Sequence, residues 1–374
     1  ELEANCRACL VQNAATGKIE TSCTIPAKDG VRILTSTPQV EKLRKKNLEL
    51  LLAGHKQGCP ACKRGLHCAA AATMKRYHVT GNEYTRNKVK ELVHKMGTAA
   101  EFDPNLCIAC NKCIRACEHI GIGFLKLKGK AANTRVGYNE NPQVDCIYCG
   151  QCTVICPVNA IREQSHIEAV EAAIADPKKT VIVQTAPSVR NSIGEEFGLP
   201  YGQDNTGKLF TAYRKLGFDK VFDVNMGADI TTMVEAGELI ERLESGEHLP
   251  MFTSCCPGWV KYVEFYHPEL IPNLTTSRSP QIHSGGAYKT WWAKKVGIDP
   301  KDIVIVSVMP CTSKKYEAHH DKLNINGLRP VDYSLTTREI AQMIRKHKID
   351  FAKLKPSEVD AEGRAHSNLQ PSVA

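Results

Sequence analysis

Two textures of apolar and polar positions divide the chain. Beyond residue 175, short β-branched runs (Thr180-Val181-Ile182-Val183, Lys220-Val221-Phe222-Asp223-Val224 and Ile303-Val304-Ile305-Val306-Ser307-Val308) alternate with stretches of helical period at 229–244, 258–266 and 337–347. Strands alternating with helices at this spacing predict βα units around a mostly parallel sheet. The last helix opens on Thr336-Thr337-Arg338-Glu339, a capping box in which Thr336 and Glu339 satisfy each other's amides. In open α/β sheets ligands collect at the carboxyl ends of the strands. Cys311 follows the run ending at Val308, and Cys255 follows the strand-like Leu249-Pro250-Met251-Phe252, so both thiols are expected at a site.

The front half lacks this rhythm and is organised by cysteine instead. Residues 1–34 hold Cys6, Cys9 and Cys23; residues 35–95 hold Cys59, Cys62 and Cys68; residues 96–175 hold eight more; and only Cys255, Cys256 and Cys311 lie in 176–374. A chain of 374 residues has length for two or three domains and needs no covalent staples to build a core. Its 17 cysteines are an odd number, gathered into tight C-x2-C runs, which reads as metal ligation in a reducing or anaerobic compartment and not as a disulfide scaffold. No apolar run approaches the length of a membrane span. The formal charge of +9 would ordinarily suggest nucleic-acid binding, but thiolate-ligated iron–sulfur centres carry net negative charge and would cancel most of it. The chain opens at Glu1 without an initiator Met or an apolar signal segment, which reads as a processed or trimmed product whose targeting segment is not visible. The expected location is cytoplasmic or the matrix of an anaerobic organelle.

The strongest chemical signal is Cys107-x2-Cys110-x2-Cys113-x3-Cys117 followed by Cys146-x2-Cys149-x2-Cys152-x3-Cys156-Pro157. This is the doubled run of two-cluster bacterial ferredoxins, in which the fourth cysteine of each run ligates the other cluster. One 4Fe-4S cluster is then expected on Cys107, Cys110, Cys113 and Cys156, the other on Cys146, Cys149, Cys152 and Cys117. Structural zinc would place a longer loop between two ligand pairs. Glu118 stands where the first run often has proline.

Upstream, His55-x3-Cys59-x2-Cys62-x5-Cys68 resembles the 4Fe-4S site with one histidine and three cysteine ligands found in the large iron–sulfur subunit of complex I and in complex hydrogenases. The neighbouring His67 is the weaker candidate. Cys6-x2-Cys9-x13-Cys23 resembles the last three ligands of the plant-type 2Fe-2S domain of the same families, whose fourth cysteine would lie upstream.

In the back half, Thr253-Ser254-Cys255-Cys256-Pro257-Gly258-Trp259 and Met309-Pro310-Cys311-Thr312-Ser313-Lys314-Lys315-Tyr316-Glu317 gather thiols, a lysine and a carboxylate. They resemble the first two signature motifs of the iron-only (FeFe) hydrogenases, as do Gln184–Arg190, Phe222–Asp229 and Ser279-Pro280-Gln281. The resemblance implies an α/β H-cluster domain at 176–374, preceded by small α+β iron–sulfur domains: part of a 2Fe-2S domain at 1–34, the His55 cluster at 35–95 and a two-cluster ferredoxin-like domain at 96–175. It further implies that Cys256 and Cys311 ligate the cubane of the H-cluster. Cys255 would exchange protons with the diiron subcluster, Lys314 would bond one of its cyanides, and Ala186, Pro187, Ser188 and Met309 would line its pocket.

Glu235, Glu238 and Arg242 fall on one helical face. Periodicity alone favours a solvated face with a Glu238–Arg242 ion pair. The resemblance favours a proton row, with the Thr275 hydroxyl between the two carboxylates, and leaves Glu317 either in that chemistry or as a loop-ordering group. The implied activity is 2H+ + 2e− ⇌ H2. The implied partners are a ferredoxin or a flavin-containing NADH-oxidising subunit, and hydrogenase maturation proteins. The family's third motif, with two more cysteines, has no counterpart before Ala374. That leaves a partial polypeptide, a site completed by another chain, or a lost catalytic function. A non-catalytic iron–sulfur relay or a cluster-assembly protein is the reading from the other class.

Overall fold

The structure is a computed structural model that describes residues 4, 6–53, 55, 68–79, 84, 91–129 and 134–363. Cys59, Cys62 and His67 lie outside the described residues. The chain divides into two compact units, the first made of Glu1–Met96, Ala100–Cys146 and Gln151–Arg162, the second of Gly97–Ala99, Ile147–Gly150 and Glu163–Ala374.

The first unit opens with an antiparallel sheet of order β2-β1-β3, from β1 (Leu10–Asn13), β2 (Ile19–Thr21) and β3 (Ile33–Leu34). Helix α1 (Pro38–Leu52) starts where Thr37 accepts the Val40 N–H and Pro38 presets the first turn. Val40, Arg44, Leu48 and Leu52, each four residues apart, form its buried face. Arg44 ties that face to the sheet, its Nε donating to the Leu10 carbonyl at 2.8 Å. Helix α2 (Ala69–Arg76) is capped by Cys68, whose sulfur accepts the Ala71 N–H. Next come β4 (His94–Met96) and β5 (Ala100–Phe102), α3 (Lys112–His119), the antiparallel pair β6 (Leu125–Lys128) and β7 (Arg135–Tyr138), α4 (Gln151–Ile155) and β8 (Ile161–Glu163), with sheet order β4-β5-β8. Helix α3 packs on α4.

The second unit is built on four parallel strands in the order β10-β9-β11-β12: β9 (Thr180–Thr185), β10 (Lys220–Asp223), β11 (Ile303–Met309) and β12 (Tyr333–Thr336). The pleat sends alternate side chains to opposite faces. Val181, Val183, Val221, Val306, Val308 and Leu335 enter one core, with residues of α5 (Ile167–Ala175), α6 (Pro187–Ser192), α7 (Thr206–Leu216) and α13 (Thr337–Lys346). Ile182, Phe222, Ile303 and Ile305 enter the other, with Ile282 of α10 (Pro280–Ala287), Ala293 of α11 (Ala293–Val296) and Tyr288 and Trp292 of the π-helical turn between them. The remaining helices are α8 (Asn225–Ser245), α9 (Pro257–Tyr266) and α12 (Ser313–Ala318).

The parallel α/β sheet and the three expected strand runs are observed, and α13 carries the expected capping box. Two expectations are corrected in detail. The segment Leu249–Phe252 forms no strand: Phe252 makes one isolated parallel bridge to Leu274, and Leu249–Pro250 is cis. Proline withholds the donor a ladder needs there. Helix α8 starts at Asn225, four residues ahead of the expected start, because the Asp223 carboxylate accepts the Asn225 N–H at 2.8 Å. Helices α8 and α10 touch so closely that a Cβ on Gly227 would overlap the Pro280 carbonyl oxygen.

Candidate functional site

The two cysteine runs adopt the same local backbone. Ala109 and Asn111 have φ of 52° and 64°, and Tyr148 and Gly150, at the matching positions of the second run, have 57° and 78°. Left-handed residues turn successive amides toward the run's interior, the nest geometry that suits an anionic cluster. Amides donate to the sulfurs accordingly: Ala109 N to Cys107 Sγ at 3.4 Å, Phe124 N to Cys117 Sγ at 3.2 Å and Ala160 N to Cys156 Sγ at 3.2 Å.

Cys107, Cys110, Cys113 and Cys156 line one cleft. Burial raises the Cys113 thiol well above its ordinary range, and Cys156, Cys107 and Cys110 raise it further by like-charge repulsion. Burial likewise raises Cys110. Four converging thiols with amide donors suit a cationic iron–sulfur core, which would remove that repulsion. Around the other expected set, burial first and then Cys146 and Cys152 raise Tyr138. Cys117 lies on α3 and Cys152 on α4, two helices in contact.

His55 Nδ1 lies 2.8 Å from the Leu106 carbonyl oxygen. Such a bond makes Nδ1 the protonated nitrogen and leaves Nε2 as the lone-pair donor, the state of a metal-ligating histidine. Cys68, half-buried, sits 3.5 Å from the Pro157 carbonyl. In the small sheet, Ser22 N bonds the Cys9 carbonyl at 3.1 Å, so Cys9 and the residue before Cys23 are neighbours, with Cys6 three positions earlier.

In the second unit the site begins at the carboxyl edge of the two central strands. Ala186 N donates to Val308 O at 2.9 Å, which sets Ala186-Pro187-Ser188 beside Met309. Arg190, on α6, pairs with Asp223 at the end of β10 and fixes that helix against the strand. Burial raises the Asp223 carboxyl, a rise that Arg190 opposes. Cys311 follows β11 directly, with its sulfur 3.1 Å from Ser313 Oγ. Cys255 and Cys256 arrive by another route: Cys256 is the N-cap of α9 and both are exposed. The motifs meet through Lys314, whose ammonium donates to the Cys255 carbonyl at 2.7 Å across 59 residues of sequence. Glu317 holds the same ammonium at 2.8 Å and is itself held by Gln281 Nε2 at 2.6 Å. Gln281 Oε1 and Ser279 Oγ are buried without partners. The open Ser279 hydroxyl, which can donate, and the Lys314 ammonium fit a polar, anionic group bound there, whereas Gln281 Oε1 can only accept.

Thr275 Oγ1 donates to Oε1 of Glu235, on α8, at 2.9 Å and lies 2.8 Å from Ser254 Oγ, the hydroxyl preceding Cys255. Thr275 thus reaches Glu235 as expected of one side of the row, while Glu238 is bonded by Thr276, through N at 3.0 Å and Oγ1 at 3.1 Å, and by Arg242 at 2.5 Å. Arg242 is no solvated surface group. It is buried and also donates to the His248, Asn273 and Leu274 carbonyls at 3.0, 3.2 and 2.7 Å. Sequence reasoning missed Ser254 and Thr276; each adjoins a residue it had singled out, and adjacency was the available signal.

Cysteine runs with the spacing of 4Fe-4S ligation, together with a parallel α/β unit whose thiols gather at strand and helix ends, define the class of iron–sulfur proteins. Residues 179–372 match the iron-only hydrogenase large subunit, C-terminal domain, and residues 106–160 match the 4Fe-4S dicluster domain. The chain belongs to the iron-only hydrogenase large subunit family. It is 43% identical over 363 residues to iron hydrogenase 1 of Clostridium pasteurianum, covering 95% of this chain and 62% of that protein. It is 32% identical to cytosolic iron-sulfur assembly component 3 of Rattus norvegicus, over 61% of this chain and 50% of that one. A variant of the apo FeFe-hydrogenase of Chlamydomonas reinhardtii superposes with a TM-score of 0.50 at 42% identity, covering 52% of this chain and 51% of that one. The chain spans 62% to 65% of the length of the first curated relatives it matches. Among the described residues no helix is long and apolar enough to cross a membrane.

Proposed function

We propose that this chain belongs to an enzyme that interconverts protons and hydrogen, 2H+ + 2e− ⇌ H2, with electrons relayed through its iron–sulfur domains. The observation that carries the reading is the junction at Lys314, which ties the Cys255-Cys256 motif to the Cys311 motif beside a row of hydroxyls and carboxylates. An H-cluster bound there would supply the metal that makes and breaks the H–H bond. Cys256 and Cys311 would hold its cubane. Ala186, Pro187, Ser188 and Met309 would wall its diiron part, and Lys314, oriented by Glu317, would donate to it. Cys255 would carry the proton inward. Ser254 and Thr275, then Glu235, Glu238 and Arg242 on α8, would continue from it, each within a bond or a helical turn of the next.

Upstream, Cys107, Cys110, Cys113 and Cys156 would hold one relay cluster and Cys146, Cys149, Cys152 and Cys117 another. His55, Cys59, Cys62 and Cys68 would hold a third, and Cys6, Cys9 and Cys23 would serve a 2Fe-2S centre. The electron partner is a ferredoxin or a flavin-containing NADH-oxidising subunit, maturation proteins insert the H-cluster, and the setting is anaerobic.

The test is Cys255→Ser in the full-length protein, loaded anaerobically. Hydrogen turnover should be abolished with iron content unchanged, because Cys255 moves a proton and holds no iron. Loss of iron would sink that role. A fully loaded native protein without hydrogen turnover would replace the reading with a relay or cluster-assembly function.

A further inference from the structure

Lys261, on α9, places its ammonium over three aromatic rings. It lies 5.6 Å from the centroid of Tyr148, 5.9 Å from Phe265 and 5.8 Å from Tyr316. Phe265 is one turn along the same helix, Tyr316 is on α12, and Tyr148 lies in the loop between Cys146 and Cys149. The Tyr148 and Tyr316 rings are themselves 4.8 Å apart. A lysine on a surface helix ordinarily extends its ammonium into water. Here the negative faces of the rings hold it back over the loop that carries Cys149.

That loop is fixed independently of the lysine. Thr312 Oγ1 donates to the Tyr148 carbonyl at 2.8 Å, and Gly150 packs so closely on the Thr312 side chain that a Cβ would overlap it. Tyr148 is in the left-handed region, at φ 57°. The charge of Lys261 therefore keeps a set position relative to Cys149.

The geometry points to Lys261 as the residue that sets the reduction potential of the 4Fe-4S cluster held through Cys149. This rests on the reading of Cys149 as a cluster ligand. Reduction adds one electron to that cluster and moves no proton and no bond, so the cluster becomes one charge more negative. A nearby fixed cation stabilises the reduced form more than the oxidised one and raises the potential. The rings keep water from part of the ammonium, which limits screening.

The experiment is an anaerobic redox titration of the cluster-loaded full chain, followed by EPR, on the native protein, Lys261→Met and Lys261→Arg. Cys149→Ser identifies the signal that belongs to this cluster. In Lys261→Met, which keeps the stem and loses the charge, that signal's midpoint should move to more negative potential while the other clusters stay in place. Lys261→Arg should titrate with the native protein. A Lys261→Met midpoint coincident with the native one overturns the inference, as does an equal shift in Lys261→Arg, which would assign the effect to packing and not to charge. Should Cys149→Ser alter no signal, the ligand reading fails first and takes the inference with it.

Discussion

Replacing Thr275 by valine exchanges one hydroxyl for a methyl in a residue only 5% exposed. Three hydrogen bonds meet at that oxygen: the donation to Glu235 at 2.9 Å, the contact with Ser254 Oγ at 2.8 Å and the acceptance of the Ser254 N–H at 3.2 Å. Ser254 Oγ keeps a second partner in the Ser277 carbonyl at 2.9 Å, so the backbone N–H of Ser254 is the group left without an acceptor. A half-buried donor stranded in this way costs about 1–3 kcal/mol. Taking about 2 kcal/mol, the melting temperature should fall by roughly 4–8 °C, with the fold intact. The effect on turnover should be far larger than the effect on stability. Losing a positioned proton-transfer group lowers a rate by about 100- to 10,000-fold. Thr275→Ser restores the oxygen and should recover most of both quantities. The assay is hydrogen evolution by the loaded full-length protein, alongside iron content and thermal melting. A valine variant with full iron and turnover within about threefold of native would show that protons bypass this hydroxyl.

Other perturbations follow from the same contacts. Burial, then the charges of Lys315 and His319, push His166 down from 6.5 to about 3, and its Nδ1 accepts the Ser334 N–H. The unfolded chain therefore binds this proton first, so stability is full above about pH 6.5 and is lost as pH falls toward 3, by at most about 5 kcal/mol. Urea midpoints at pH 7 and pH 4.5 should diverge less in His166→Gln than in the native protein, and equal slopes would refute this assignment. Lys315→Met strands the buried Glu339 carboxylate, 2.9 Å from the ammonium, and should cost about 3–5 kcal/mol. The double variant with Glu339→Gln should recover much of that loss in a denaturant titration, and an additive loss would mean that the pair is not coupled. His55→Ala should change the EPR signal of one cluster and leave the rest, whereas an untouched spectrum would make the Leu106 bond a purely structural contact.

The sheet was legible because strands buried on both faces need apolar centres, and β9, β10 and β11 carry them in Val181-Ile182-Val183, Val221-Phe222 and Ile303-Val304-Ile305-Val306. Strand β12, Tyr333–Thr336, escaped notice since three of its four residues carry hydroxyls. Leu249–Phe252 misled for the opposite reason, apolar content without a donor at Pro250. Cysteine spacing exposed the cluster runs because covalent ligation fixes residue type and interval together. The hydroxyl row was only half legible. Periodicity grouped Glu235, Glu238 and Arg242, but which threonine reaches which carboxylate depends on how residues 274–277 pass α8, and that path is set by the Arg242 bonds to the Asn273 and Leu274 carbonyls. The Lys261 rings were invisible in sequence because they come from three distant segments.

The overlap that forbids a side chain at Gly227 bears on more than helix packing. Helix α8 carries Glu235, Glu238 and Arg242, while α10 carries Gln281, which holds Glu317 and, through it, Lys314. Where the two helices meet at Gly227 and Pro280 there is no slack, so the Glu235–Glu238–Arg242 face and the residues that hold the Lys314 ammonium form one mechanical part. An alanine there would push on both at once, so the effect of moving the carboxylates could not be separated from the effect of moving Lys314. Selection for either task would keep position 227 free of a side chain, and tolerance for tuning the two independently must come from the outward ends of these helices.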